Sequence, residues 1–582
     1  MRERARRGAP EQSINGPLVR VTWLLVLPAV LLAAFTVSHP GPLPAPPIPP
    51  SFDRAAALGT ATGLAREHPS RVPGTALAAS AASWYEERLA LYGLETSSDV
   101  WDAELPGLGR VRLRNIVTVV PGESDDTILF VANRDNNGTG PGANANASGT
   151  AVLLALASGY ADVSTVTGRP RPRHTLVFLS SDGGAYGGYG AERFAAVSPL
   201  RDRLVAVVSL DALGGNARPR LAISGTGSRS PTAALVRTTS VRVAEQTTRP
   251  PVLPDWLTQV VNLAIPFGYG EQAPFLARGI SAVRLTTLGD GAAARTADAS
   301  AALNVARFER LGRSAEALLS SLDASVTPGS GTSAAVHLGG RTVRGWAIQL
   351  VLLASLVPYL VGTIDFLVRS RTRRLPLRGA WLALRTPLGV WLWIGAVAAI
   401  GALAGVFPRR GLLPAPPGSP VLPAWADPGL LALLALCALG FLQAHRSSAR
   451  RPRASERDEL AAYGVALAAL GCVAIAVALV NPYALVFVAP SLYAWLWLPQ
   501  LRGGPGWRSD LLFGLGLGGP AIGLVVITRQ LELGSEGILY LASLATAGFV
   551  PWPLVVAFLA WAATATYLGS LVTGRHRPGS EG

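Results

Sequence analysis

The chain has 582 residues, 49% of them hydrophobic and only 15% charged, and its formal net charge of +15 rests on Arg because Lys is absent. That length exceeds one domain, and the apolar balance marks a large membrane-embedded fraction beside a soluble part. The Arg clusters sit beside long apolar runs and form no basic stripe interleaved with aromatics, which argues against nucleic acid as a partner; Cys437 and Cys472 lie inside apolar runs and give neither a disulfide framework nor metal spacing.

Residues 1–20 are an Arg-rich polar N-terminus, expected in the cytoplasm. A transmembrane anchor follows over 21–38, where VTWLLVLPAVLLAAFTV is just long enough to cross a bilayer. No small-x-small cleavage pattern follows it, which favours an uncleaved anchor over a signal peptide. Residues 39–52 are a Pro-rich, semi-rigid linker. Residues 53–325 read as an extracytoplasmic α/β domain. TILFVA (127–132), HTLVFLS (174–180) and LVAVVSL (204–210) have the composition of buried strands, and helical patterns such as ASGTAVLLALASGY (147–160) alternate with them. The alternation predicts a mostly parallel sheet flanked by helices, closed by a helix over 307–325.

A linker over 326–344 leads to an α-helical transmembrane bundle over 345–573. Apolar runs occupy 345–368, 387–407, 428–444, 460–480, 484–499, 511–528 and 537–573, the last interrupted by Pro551 and Pro553. Arg-rich loops at 369–378, 446–457 and 502–508 and the tail 574–582 are expected in the cytoplasm, which gives about eight spans with both termini inside. Asp365, near the end of its span, reads as an interfacial partner of Arg369. The run FGLGLGGPAIG (513–523) predicts broken or closely packed helices. The Lys-free, Ala/Gly-rich composition fits a high-GC bacterium, so the expected location is the plasma membrane, with the lipid bilayer as one partner.

The chemistry should lie in the α/β domain. The stretch ANRDNNGTGPGANANASGTAVLLALA (132–157) has the shape of a metal-site loop running into a helix. Four other segments accompany it in order: an Arg-x-x-Gly turn and helix ending in Gly-Leu-Glu within 67–95, FLSSDGGAYGGYGAERF (178–194), VVSLDALGG (207–215) and GYGEQAPFLARGISAVRL (268–285). Together these segments resemble metallopeptidase family twenty-eight, the two-zinc aminopeptidases, and the overall layout is similar to the family's multi-spanning members. The resemblance implies a zinc-aminopeptidase-like fold. It also implies a site in which His nitrogens and carboxylates hold two zinc ions at about 2.0–2.2 Å and a further carboxylate takes a proton from the bound water.

At the positions the resemblance assigns to metal ligands, this chain has Asn133, Ala145, Ala185, Asp211 and Gln272, of which only Asp211 keeps the usual residue. Gly184 stands at the general-base position, and none of the six His falls on a matched position. Arg134, Asp135, Asn144, Asn146, Asp182 and Glu271 are expected to line the remaining cleft, with Arg134 placed to meet a carboxylate. The leading expectation is therefore a membrane-anchored, aminopeptidase-like domain without catalytic residues or cofactor, which binds a protein or peptide at the cleft or acts as a scaffold. An active zinc hydrolase with a diverged site is the alternative that would need zinc. A transporter or membrane-complex subunit with the domain as receptor or gate is another. A calcium or magnesium site built from Asn133, Asp135, Asp182, Asp211, Glu271 and Gln272 is weighed against hydrogen-bonded remnants, and the remnants are favoured.

Overall fold

The computed structural model describes residues 14–161, 171–289, 303–326, 331–408, 412–414, 417, 422–448, 455–501 and 505–573. The Arg-rich residues 1–13, 449–454 and 502–504 and the tail 574–582, all expected in the cytoplasm, lie outside the described residues.

Two short helices, α1 (Gly16–Thr22) and α2 (Val26–Phe35), make a 20-residue apolar stretch near the N-terminus. The α/β domain opens with α3 (Arg54–Glu67) and α4 (Ala76–Leu91). Asp53 caps the first by accepting from the Ala56 N–H, and Thr75 caps the second by accepting from the Ala78 N–H. Strands β1 (Thr96–Leu105), β2 (Gly109–Val120) and β3 (Ser124–Asn133) follow, then α5 (Ser148–Ser158), β4 (His174–Ser181), α6 (Tyr189–Val197), β5 (Leu204–Leu210) and β6 (Arg220–Ala222). Helices α7 (Ala233–Thr247), α8 (Trp256–Ala264) and α9 (Ala273–Ala277), strand β7 (Ala282–Thr286) and helix α10 (Val305–Ala324) complete the domain.

The seven strands form one mixed sheet in the order β1-β2-β4-β3-β5-β7-β6. The central four, β4, β3, β5 and β7, are parallel, as the apolar runs predict. The antiparallel edges were not evident in those runs. β1 and β2 form a hairpin; β1 is mostly exposed or half-buried, and β2 mixes exposed Arg with buried residues, so neither strand reads as an apolar run. Alternate side chains of the parallel strands feed two cores. Ile128, Phe130 and Ala132 pack with α5 and α10, whereas Leu129 and Val131 pack with α6 and α9.

Residues 335–344, expected as linker, form a hairpin of β8 (Ala335–Leu338) and β9 (Arg341–Arg344). Ser38 pairs with Thr342 through two backbone hydrogen bonds of 3.0 and 2.9 Å, which ties the residues after α2 to this hairpin.

The bundle comprises α11 (Gly345–Thr372), α12 (Leu377–Leu403), α13 (Pro428–Ser448), α14 (Glu456–Val480), α15 (Leu485–Leu496), α16 (Gly506–Gly516), α17 (Gly518–Gln530), α18 (Gly537–Thr546) and α19 (Trp552–Thr573). With the N-terminal stretch, the described residues hold six helices long and apolar enough to cross a membrane, or seven if the pair α16 and α17, bent by 44°, is one span. The apolar part of α13, Pro428–Ala444, is shorter. The final apolar stretch divides into the short α18 and the long α19, with the break just before the two prolines. Asp365 and Arg369 pair at 2.6 Å.

Glycines set how closely the bundle packs. A Cβ at Gly516 would lie 2.0 Å from the Trp495 ring nitrogen, and one at Gly519 would lie 1.9 Å from the Phe487 carbonyl oxygen. Only Gly lets α16 and α17 approach α15 this closely. The α/β domain rests on the bundle through Val261, Phe267 and Tyr269 against Ile527, Leu531, Tyr540 and Leu544. Asn481 fixes the contact by donating from Nδ2 to the carbonyls of Leu263 (2.8 Å) and Ala264 (3.0 Å).

One glycine of the α/β domain fixes the whole site region. A Cβ at Gly149 would lie 2.3 Å from the Leu210 carbonyl oxygen, so α5 touches the end of β5 only because residue 149 has no side chain. Gly149→Ala is expected to destabilise the domain by about 1–3 kcal/mol, the usual cost of overpacking against backbone. A thermal-unfolding comparison of the two full-length proteins in detergent checks this.

Candidate functional site

The C-terminal ends of the parallel strands and the loops after them bring the five segments together, as an open parallel sheet does. Asn133 ends β3. Its side-chain Nδ2 donates to the Asp135 carbonyl at 3.2 Å, and its backbone carbonyl accepts from Thr150 Oγ1. Asp135 is buried and uses both carboxylate oxygens on the next loop, accepting from the Gly184 N–H (2.8 Å) and the Ala185 N–H (3.0 Å). Burial and the neighbouring Asp182 charge push its pKa up to about 7.

The two positions expected to carry carboxylates are thus backbone donors to Asp135. Gly184 lies directly on Asn133: a Cβ there would sit 2.2 Å from the Asn133 Cβ. The loop has settled into a space that a side chain at 184 would need.

Asp182 turns away from this point. Its carboxylate accepts from the Arg114 N–H (3.0 Å) and the Gly183 N–H (2.9 Å), and it lies 3.8 Å from the Arg134 guanidinium. Burial raises its pKa, against the opposing pull of Arg134 and those N–H groups. Arg134 was expected to meet a ligand carboxylate. Instead its guanidinium is buried and donates to Ser180 Oγ (2.9 Å) and to the Arg114 carbonyl (2.9 Å). Its reach is spent crossing from β3 to β4 and β2.

The Asn-rich loop enters α5 through one π-helical turn, Ala143–Ala147. Ala145 is half-buried on that turn and offers only a methyl group. Asn144 and Asn146 act as struts. Asn144 Oδ1 accepts from the Gly214 N–H at 2.8 Å, which holds the loop after β5, and Asn146 Oδ1 accepts from Arg71. Arg71, from the Arg-x-x-Gly turn, is wholly buried and also donates to the carbonyls of Arg134 (2.8 Å) and Pro141 (3.1 Å).

Asp211 lies just past β5 and faces Arg284 of β7, with Oδ2 3.4 Å from the guanidinium. Gln272 is fully buried and donates from Nε2 to the carbonyls of Tyr269 (2.8 Å) and Ser224 (3.0 Å), holding its own loop. Glu271 accepts a hydrogen bond from Ser181 Oγ and is pushed up to about 8, chiefly by burial, with Asp135 and Asp211 adding to the effect.

The expected cleft is therefore corrected. Arg134, Asp135, Asn144, Asn146, Asp182 and Glu271 are each at most 5% exposed and are tied into the scaffold. Beside them the 183–188 loop packs with Gly184 on Asn133 and with Gly187 against Leu413 and Pro414 of the membrane domain. The oxygen donors weighed for calcium or magnesium do not converge. Among the described residues, no group of three or more His, Cys, Asp or Glu is gathered as a metal site.

The sequence reading missed Arg284 and Ser181 as site residues. Arg284 had a signal: a charge inside the fully buried strand AVRLT demands a partner.

Residues 115–306 match the model of peptidase family M28. This part of the chain is similar to peptidase family M28. Solved structures of similar fold include a glutaminyl cyclase from an Acidobacteriales bacterium, 18% identical, TM-score 0.38, covering 49% of this chain and 99% of that one. A leucine aminopeptidase precursor from Bacteroides thetaiotaomicron is 16% identical, with TM-score 0.38 and coverage of 47% and 98%. A Zn-dependent exopeptidase from Parabacteroides distasonis is 14% identical, with TM-score 0.38 and coverage of 46% and 98%. No curated protein matches the chain.

The raised carboxyl of Glu271 makes a pH prediction. Between the ordinary value of 4.5 and about 8, the folded site keeps a proton that the unfolded chain has released. Raising the pH through that window therefore removes stability, and nothing further is lost above it. Asp135 acts in the same direction up to about 7. The apparent Tm of the full-length protein in detergent is expected to fall between pH 5 and pH 8.5. Glu271→Gln, which mimics the protonated carboxyl, should remove much of that slope while Asp135 keeps the rest.

Proposed function

We propose that the M28 domain is a non-catalytic binding or scaffold module, carried on the extracytoplasmic face by the N-terminal anchor and the C-terminal bundle, and that it works without zinc. The observation that carries this reading is the Asp211–Arg284 pair: the one retained ligand position faces a guanidinium. The rest of the residue set fits a two-zinc site no better. Ala145 and Ala185 have no donor, the Gln272 amide holds its own loop, and Asp135 is engaged by two backbone N–H groups. No carboxylate stands at 184 to take a proton from water. Sidedness rests on the Arg-rich loops at 369–378, 446–457 and 502–508, which favour the cytoplasm.

In this reading, binding uses the open groove beside the strand ends. It has a volume of about 690 Å³ and lies between the β1–β2 hairpin with α6 on one side and the membrane domain on the other. Trp101, Tyr189, Leu413 and Phe549 supply apolar walls, and Glu104 and Glu192 supply acidic rims. That mixture suits a peptide segment with apolar and basic side chains.

The test is turnover of aminoacyl-4-nitroanilides by the full-length protein in detergent with added Zn²⁺. The expected rate equals that of the protein-free control, and a rate abolished by a chelator overturns the proposal. Gly184→Glu is expected to yield no activity and a lower Tm, because its Cβ has no room beside Asn133.

A further inference from the structure

The bundle contains a half-open cavity of about 620 Å³ whose 22 lining residues are all apolar in type. Its cause is the broken path of the chain. The α16–α17 bend of 44° and the early stop of α18 at Thr546 leave a space that straight helices would fill. The inner wall is Val488 of α15 and Ile527 of α17, both buried, with Trp561 of α19 beside them. The Trp561 ring N–H is turned to Ser491 Oγ at 2.9 Å, so the one polar atom of that ring has its partner outside the cavity.

The mouth opens sideways. Ile538 and Phe558 line the cavity and are 59% and 50% exposed, and Ile522, Val525 and Val556 are exposed on the same helices. An exposed apolar face of this kind suits contact with lipid and not with water. Water would find no hydrogen-bond partner inside, whereas hydrocarbon would gain contacts on every wall. The deep end reaches Ile265, just past α8 and close to the segment that carries Glu271 and Gln272.

We propose that this cavity is a binding site for one acyl chain of a bilayer phospholipid, which enters laterally past α17 and α18 and ends beneath the M28 domain. The volume lies in the range of small-molecule sites, and the uniform apolar lining selects hydrocarbon over any headgroup. The inference does not depend on whether the M28 domain is catalytic.

The test uses the full-length protein in nanodiscs of phosphatidylethanolamine and phosphatidylglycerol, doped with a phosphatidylethanolamine carrying a diazirine on its acyl chain. After photolysis, labelled residues are mapped by mass spectrometry. Label is expected on Val488 and Ile527, which lipid outside the bundle does not reach. The double variant Ala521→Trp, Ala545→Phe fills the mouth. It is expected to lower that label roughly tenfold, with label on the outward Leu392 and Ile400 of α12 unchanged. Label confined to outward residues overturns the proposal, as does inner-wall label that the filled variant keeps. Crosslinks from a second copy of the chain across the mouth would also overturn it, because a protein would then be the occupant. Should the variant fail to fold, the wild-type map decides alone, since label on Ile527, which is 2% exposed, requires a chain inside.

Discussion

Four carboxyl groups, Asp135, Asp182 and Asp211 just past the ends of β3, β4 and β5 and Glu271 beside Ser181, are largely buried, which requires that each negative charge be met or removed. This chain does so four ways. Arg284 faces Asp211, and Arg134 approaches Asp182 beneath the loop. Two backbone N–H groups hold Asp135. Glu271, pushed up to about 8, keeps its proton at neutral pH. In a two-zinc site much of this charge balance falls to the metal. In the proposed metal-free reading, side chains and backbone supply it instead.

Once Asp135 is held by residues 184 and 185, their loop lies down on Asn133, and a side chain at 184 has no place. Once the loop lies down, Gly187 meets Leu413 and Pro414, and Leu413 packs with Leu105, Leu113 and Tyr189. The segment carrying Glu271 and Gln272 is in turn set on the bundle, where Tyr269 and Tyr540 approach within 6.4 Å between ring centroids. Two of the five site segments therefore rest on the membrane domain. Contacts therefore run from Tyr540 of α18 through Tyr269 to the segment that carries Glu271 and Gln272.

Much of this was legible in the sequence. The buried strands were readable because parallel strands covered on both faces are continuous apolar runs, whereas Gly142-Ala143 and Asn146-Ala147-Ser148-Gly149 were placed by the family resemblance. The positions of Asn133, Ala145, Asp211 and Gln272 followed from the same ordered segments. Side-chain direction was not legible. Nothing in the order Asn133-Arg134-Asp135 says that Arg134 points back under the sheet while Asp135 reaches forward to the 184–185 backbone. The hairpin edge was hidden because β1 is mostly exposed or half-buried and β2 mixes exposed charged residues with buried ones. The contact of Leu413 with the α/β domain joins residues more than two hundred positions apart, and local patterns carry no information at that distance.

The central claim is that the strand-end acids are neutralised from within and leave no place for metal. The most direct measurement is the zinc content of the purified full-length protein, by elemental mass spectrometry, after exposure to excess Zn²⁺ and exchange into metal-free buffer. The account predicts far less than one zinc per chain in a folded sample. Retention of roughly two per chain, the complement of an intact family site, would contradict it.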